Sequence, residues 1–93
     1  MKQCLKIIVT GKVQEVGYRD FVKKNAEDNF IEGTVQNLED SSILIYACGL
    51  SDNLDNLIDC LYKGTSKSKV QDLSIEPFVN EKDFRGVFRI IGD

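Results

Sequence analysis

The sequence predicts an α+β sandwich, with two helices packed on one face of an antiparallel sheet, and three observations point to it. Apolar residues alternate with polar ones in several short segments, the mark of half-buried strands. Two longer segments switch to helical spacing. The two patterns follow one another in the order βαββαβ, with one more short strand at the end, within 93 residues, the size of a single compact domain spanning 1–93.

The elements read in order as follows. Leu5, Ile7 and Val9 alternate with Lys6, Ile8 and Thr10, giving a first strand that ends at Gly11, one face buried and the other partly apolar. Tyr18, Phe21, Val22 and Ala26 fall at helical spacing, which predicts a helix over 18–28 with Asn29 as its left-handed stop. Ile31, Gly33, Val35 and Asn37 share one face of a second strand. Glu39-Asp40-Ser41-Ser42 has turn chemistry, and the apolar run 43–48 completes a hairpin. Ser51 is expected to cap a second helix, whose stripe is Leu54, Leu57, Ile58 and Leu61 and whose stop is Gly64. Val70, Leu73 and Ile75 suggest a fourth strand stopped at Pro77, and 87–91 a short closing one. Right-handed crossovers and short connections then lay both helices on one sheet face, with the third strand antiparallel beside the first. This is the ferredoxin-like arrangement, with an extra C-terminal strand. It hosts many functions, so the chemistry has to be argued from a site.

Composition narrows the classes. With 42% hydrophobic and 29% charged residues, the chain is an ordinary soluble domain, long enough for one core without metal or disulfide staples. The net charge is −3, with twelve Lys and Arg dispersed among fifteen acids, which argues against a nucleic-acid partner. The densest basic group, Lys63, Lys67 and Lys69, reads as a solvated loop. No apolar run approaches the roughly 18 residues of a membrane span, so no membrane association is expected. The opening Met1-Lys2-Gln3-Cys4 passes straight into alternation, so a cytoplasmic location and no secretory signal are expected. Three cysteines without CxxC spacing form neither a zinc site nor a full disulfide framework. Histidine is absent, so the commonest general base and metal ligand are both missing. No metal and no cofactor are expected.

The informative segment lies between the first strand and the first helix: Lys12-Val13-Gln14-Glu15-Val16-Gly17-Tyr18-Arg19. A loop entering a helix N-terminus aims free backbone N–H groups at one spot, where the helix dipole adds positive potential. Phosphate binds well there. Gly17 allows positive φ, and Arg19 can fork onto two phosphate oxygens. The pattern is not a Walker loop, which ends Gly-Lys-Ser/Thr. By spacing alone, a plain βα connection with a surface arginine is the better reading, since most glycine-containing loops are only that.

Two motifs go further. Gly11-Lys12-Val13-Gln14-Glu15-Val16-Gly17-Tyr18-Arg19 resembles the G-x-V-Q-G-V-G-F-R signature of acylphosphatases, and Gly33-Thr34-Val35-Gln36-Asn37 resembles that family's G-x-V-x-N. Weaker similarity continues through Ile43, Gly49, Val70, Leu73 and the closing Gly86-Val87-Phe88-Arg89-Ile90, so it covers nearly the whole chain. The resemblance implies hydrolysis of small acyl phosphates without a metal. It implies Arg19 as the phosphate ligand and Asn37 as holder of the attacking water. The backbone amides of Gln14, Glu15, Val16, Gly17, Tyr18 and Arg19 would cradle the phosphoryl oxygens. The sole partner it implies is the small-molecule substrate, and a monomer is expected.

The chain departs from the pattern at Glu15, where the family has glycine. A side chain there costs energy if φ must be positive, and its carboxylate would repel a phosphate nearby. Thr34 replaces a usual aromatic residue, Phe30 a helix-ending glycine, and Tyr18 a phenylalanine. Two rival readings remain. One is a catalytically weak phosphate-binding module of the same family. The other is an RNA-binding sheet using Lys6, Ile8, Thr10, Leu44, Tyr46 and Cys48 on the open face, for which one aromatic residue and an acidic chain are poor equipment. Alternation also places Cys4 and Cys48 on that face, at meeting ends of antiparallel neighbours. They are therefore expected to lie within disulfide reach, or to pack as reduced thiols, while Cys60 stays free.

Overall fold

The computed structural model describes residues 2–79 and 83–92. Seven elements form among them: β1 (Lys2–Lys12), α1 (Tyr18–Asp28), β2 (Glu32–Asn37), β3 (Ile43–Leu50), α2 (Ser51–Lys63), β4 (Lys69–Pro77) and β5 (Phe88–Ile91). The sheet order is β4-β1-β3-β2-β5. β3 runs antiparallel to both β1 and β2, and β4 antiparallel to β1, as expected. β5 instead joins β2 in parallel, so the sheet is mixed at that edge. The reason lies in the chain path. β4 finishes at the end of the sheet where β1 and β2 begin, so a strand entered from that end runs in the direction of β2.

Alternation sorts the two faces. Ile7, Val9, Val35, Ile43, Ile45, Ala47 and Phe88 are buried against Val22 and Ala26 of α1 and Leu54, Leu57 and Leu61 of α2. Val70 and Leu73 both pack on this core although an odd spacing separates them. A bulge resolves the conflict: the pairing passes from Thr10↔Asp72 to Gly11↔Val70, leaving Gln71 unpaired. An added residue in one strand turns the next side chain back to the core face. Gly11 is required there, because it has φ 124° and a Cβ would lie 2.2 Å from the Lys69 carbonyl oxygen.

Two helix ends differ from expectation. The left-handed residue after α1 is Phe30, with φ 56°, whereas Asn29 keeps φ −106°. The Phe30 N–H reaches the Glu27 carbonyl at 3.1 Å and the Ile31 N–H that of Ala26 at 2.9 Å. That pair of bonds is a Schellman stop with phenylalanine in the glycine position. Ser51 does not cap α2: it is the first helical residue, after an extended Leu50, and no side-chain cap bond forms. Gly64 stops α2 as expected, its N–H bonded to the Cys60 carbonyl.

Cys4 pairs with Cys48 in the β1–β3 register, and their sulfurs are bonded, with Cα atoms 4.1 Å apart. Cys60 is free. This bridge lies at the end of the sheet where β1 and β2 begin. At the opposite end, the finishing ends of β1, β2 and β5 surround the N-terminus of α1.

Candidate active site

Val13, fully buried, anchors the loop after β1 in the core. From there the backbone takes positive φ at Glu15 (61°) and Gly17 (75°), with Val16 between them outside that region. Alternation of this kind turns successive N–H groups toward one concavity. The Gly17 carbonyl accepts the first helical bond from Phe21, at 3.1 Å. Among the described residues no side chain caps α1, and the first N–H groups of a helix lack intrahelical partners.

Three braces fix this loop. The Gln14 amide donates to the carbonyls of Leu38 (2.9 Å) and Ser42 (2.8 Å), fastening the loop to the hairpin that follows Asn37. The Tyr18 hydroxyl donates to the Leu61 carbonyl at 2.7 Å, one of the open carbonyls in the last turn of α2. Burial pushes the Tyr18 phenol upward from its ordinary range, so it remains a donor through neutral pH. The Thr65 hydroxyl donates to the Val16 carbonyl at 3.1 Å.

A cavity of about 360 Å³ opens over the helix N-terminus, lined by Val13, Glu15, Gly17, Tyr18, Arg19, Asp20, Asn37 and Ile90. The structure therefore gathers Glu15, Gly17, Tyr18, Arg19 and Asn37 round one space. Gln14 and Val16 do not line it. Both are tether points, Gln14 through its side chain and Val16 through its carbonyl. Arg19 donates from Nη1 to the Ile91 carbonyl at 3.4 Å, which draws its guanidinium toward the end of β5. Asn37 finishes β2, and its Oδ1 is buried with no hydrogen-bond partner among the described residues. A buried acceptor left open costs roughly 1–3 kcal/mol, so a donor reaching this oxygen would be bound favourably. Two larger surface depressions, of about 600 and 460 Å³, contain neither Arg19 nor Asn37. Among the described residues, no cluster of three or more His, Cys, Asp or Glu could hold a metal ion.

Sequence reasoning missed Asp20, Ile90, Ile91 and Thr65 as contributors, and the side-chain role of Gln14. Ile90 supplies a wall, Ile91 a carbonyl for Arg19, Gln14 a side-chain tether and Thr65 a brace on Val16. The Gln14, Arg19 and Thr65 contacts join residues 24, 72 and 49 positions apart, and no local pattern announces such pairs.

The arrangement can receive a phosphoryl group on backbone amides and a guanidinium, with Asn37 lining the same space. The chain as a whole is similar to known proteins. The acylphosphatase family model matches residues 5–90. An acylphosphatase of Bacillus licheniformis is 39% identical over 71 residues, 76% of this chain and 79% of that protein. The crystal structure of acylphosphatase from Bacillus subtilis superposes with TM-score 0.87 at 31% identity, covering 99% of this chain and 100% of that one. An acylphosphatase from Coxiella burnetii gives TM-score 0.88 at 32% identity, over 96% and 92% of the two chains.

Proposed function

The chain belongs to the acylphosphatase family and hydrolyses small acyl phosphates to carboxylate and phosphate, and we propose that Arg19 and Asn37 are the residues that carry the reaction. The observation behind this reading is that Asn37, whose buried Oδ1 has no hydrogen-bond partner among the described residues, lines the same cavity as Arg19 and the first turn of α1. The phosphoryl oxygens rest on the amides of Glu15, Gly17 and the first turn of α1, and Arg19 forks onto two of them. Water donates one hydrogen to Asn37 Oδ1, which turns a lone pair toward phosphorus. The water oxygen bonds to phosphorus as the bond from phosphorus to the acyl oxygen breaks. The acyl oxygen departs as carboxylate, a leaving group good enough to need no general acid. The proton lost by water passes to a phosphate oxygen or to solvent, since a side-chain amide does not take it. Orientation and charge stabilisation do the chemistry, so no metal or cofactor takes part in this reading.

The alternative of a catalytically weak phosphate-binding module is not favoured: the relatives matched over most of the chain are acylphosphatases. Charged Lys69, Asp72 and Glu76, with Pro77, guard the β4 edge and support a monomer. The acidic balance supports the absence of a nucleic-acid partner.

Mutagenesis with a synthetic aryl acyl phosphate tests the assignment. Arg19→Ala is expected to lower kcat by about a thousandfold or more and to abolish competitive inhibition by inorganic phosphate, with little rescue in Arg19→Lys. Asn37→Ala is expected to lower kcat by about 10²–10³ while phosphate inhibition stays nearly intact. Retention of most activity by Arg19→Ala, or inhibition of the parent by EDTA that a divalent ion reverses, overturns the reading.

A further inference from the structure

We propose that Thr65 is a positioning residue: by holding the Val16 carbonyl it aims the Gly17 N–H into the cavity, an inference that rests on the phosphate-cradle reading above. A threonine hydroxyl has one hydrogen to donate and two lone pairs to accept with. Both lone pairs of Thr65 Oγ1 are engaged, by the N–H of Ser68 at 3.1 Å and that of Lys67 at 3.3 Å. Its one hydrogen therefore goes to the Val16 carbonyl oxygen at 3.1 Å. The direction of that bond is set by the turn around it and does not depend on Val16.

The turn is itself closed. Ser68 Oγ accepts the Thr65 N–H at 2.7 Å and donates to the Thr65 carbonyl at 3.2 Å. Gly64 packs so tightly on it that a Cβ there would meet Ser68 Oγ at 2.2 Å. Thr65 thus presents a rigid donor, fixed between the ends of α2 and β4, to the loop before α1.

The consequence follows from peptide geometry. A trans peptide unit is planar, and its C=O and N–H point in opposite directions; no cis bond occurs among the described residues. Pulling the Val16 carbonyl toward Thr65 sends the Gly17 N–H the other way. The cavity is on that other side, because Gly17 lines it while neither Val16 nor Thr65 does. Such a hold is needed at this position in particular. Gly17 has φ 75°, and no atom lies within 4 Å of where a Cβ would be. A glycine in open space lets the peptide before it turn over at little cost. Without Thr65, the unit joining Val16 and Gly17 is free to present its carbonyl, a negative dipole end, to the phosphate.

Paired variants test this, with Arg19→Ala as the reference. Thr65→Val keeps the shape and removes the donor together with the acceptor of the Lys67 and Ser68 N–H groups; Thr65→Ser keeps both. Thr65→Val is expected to weaken inhibition by inorganic phosphate and to lower kcat/KM about tenfold each, with a cooperative unfolding transition retained, while Thr65→Ser stays within about twofold of the parent. Equal behaviour of the valine and serine variants, or parent-like phosphate inhibition in Thr65→Val, overturns the role of Thr65. Parent-like phosphate inhibition in Arg19→Ala overturns the cradle itself. In the unmodified protein, titration with inorganic phosphate is expected to shift the Gly17 amide resonance strongly. A Gly17 amide that does not respond at saturating phosphate overturns the proposal even if Thr65→Val fails to fold.

Discussion

Glu15 occupies the left-handed region, with φ 61°, and lines the cavity beside Arg19. An L-residue with a Cβ pays roughly 1–2 kcal/mol for that conformation. Glu15→Gly is expected to stabilise the fold by about 0.5–1 kcal/mol, since the extra freedom of glycine in the unfolded chain offsets part of the relief. It is also expected to tighten inorganic-phosphate inhibition by about three- to tenfold, by removing a carboxylate from the rim of an anion site. Glu15→Gln separates the two effects: it keeps the strain and removes the charge, so it improves phosphate binding without raising stability. The binding gain shrinks with added salt, because exposed charges are screened. An inhibition constant that is the same in all three proteins would show that the carboxylate faces away. Residues of this kind were legible in sequence. Gly17, Arg19 and Asn37 lie in two short motifs, and the unusual residue at position 15 stood out against one of them. Thr65 and Ile90 were not, because their part in the site is set by three-dimensional neighbours and not by the residues next to them in the chain.

At the scale of elements, spacing identified all seven, since the alternation of strands and the period of helices are written locally. Their ends were harder. Asn29 tolerates positive φ better than most residues, yet the structure gives that conformation to Phe30, because the next residue, Ile31, must turn into the core against Ala26. The bulge at Gln71 and the parallel entry of β5 escaped for a related reason: both depend on the partner strand. Phe30 is 87% exposed, so its ring contributes little packing to set against the backbone strain. Phe30→Gly is therefore expected to raise stability by about 1 kcal/mol, or roughly 4–8 °C in Tm for a domain of this size; an unchanged or lower Tm would refute the strain. The hairpin between β2 and β3 adds a pH dependence. The Ser42 hydroxyl and N–H both donate to the Asp40 carboxylate and hold its pKa below the ordinary value. A folded pKa below the unfolded one means stability present above the unfolded value and lost as pH falls through the folded value. Ser42→Ala is expected to be less stable than the parent at neutral pH, with the gap closing as the solution is acidified below the usual carboxylate range. A gap constant from pH 7 to pH 2 would remove Asp40 as its source.

For the whole molecule, one topology places two different functions at opposite ends of one sheet. Where β1, β2 and β5 finish, the cavity gathers residues from two strands, the loop after β1 and the first turn of α1. Where β1 begins and β3 ends, the register Cys4↔Cys48 brings two sulfurs together. The sequence could place both cysteines on one face by alternation, and antiparallel pairing of the first and third strands made them neighbours. The actual bond required the register to be right to the residue, since a slip of one would have turned one sulfur to the core. The bridge closes a loop of sequence separation 44, worth about 4 kcal/mol in the chain-entropy model, less any native strain. Its position predicts a separation of effects. Reduction, or the double change Cys4→Ser with Cys48→Ser, is expected to lower stability by about 2–4 kcal/mol and to leave kcat and phosphate inhibition unchanged, because no cavity residue adjoins the pair in the sheet. Thiol counting on air-oxidised, denatured protein is expected to find one free thiol, mapped by peptide analysis to Cys60. Three free thiols, or a bridge mapped to Cys60, would contradict the β1–β3 register. Loss of activity on reduction, with the fold intact, would instead show that the two ends of the sheet are coupled through β1 and β3.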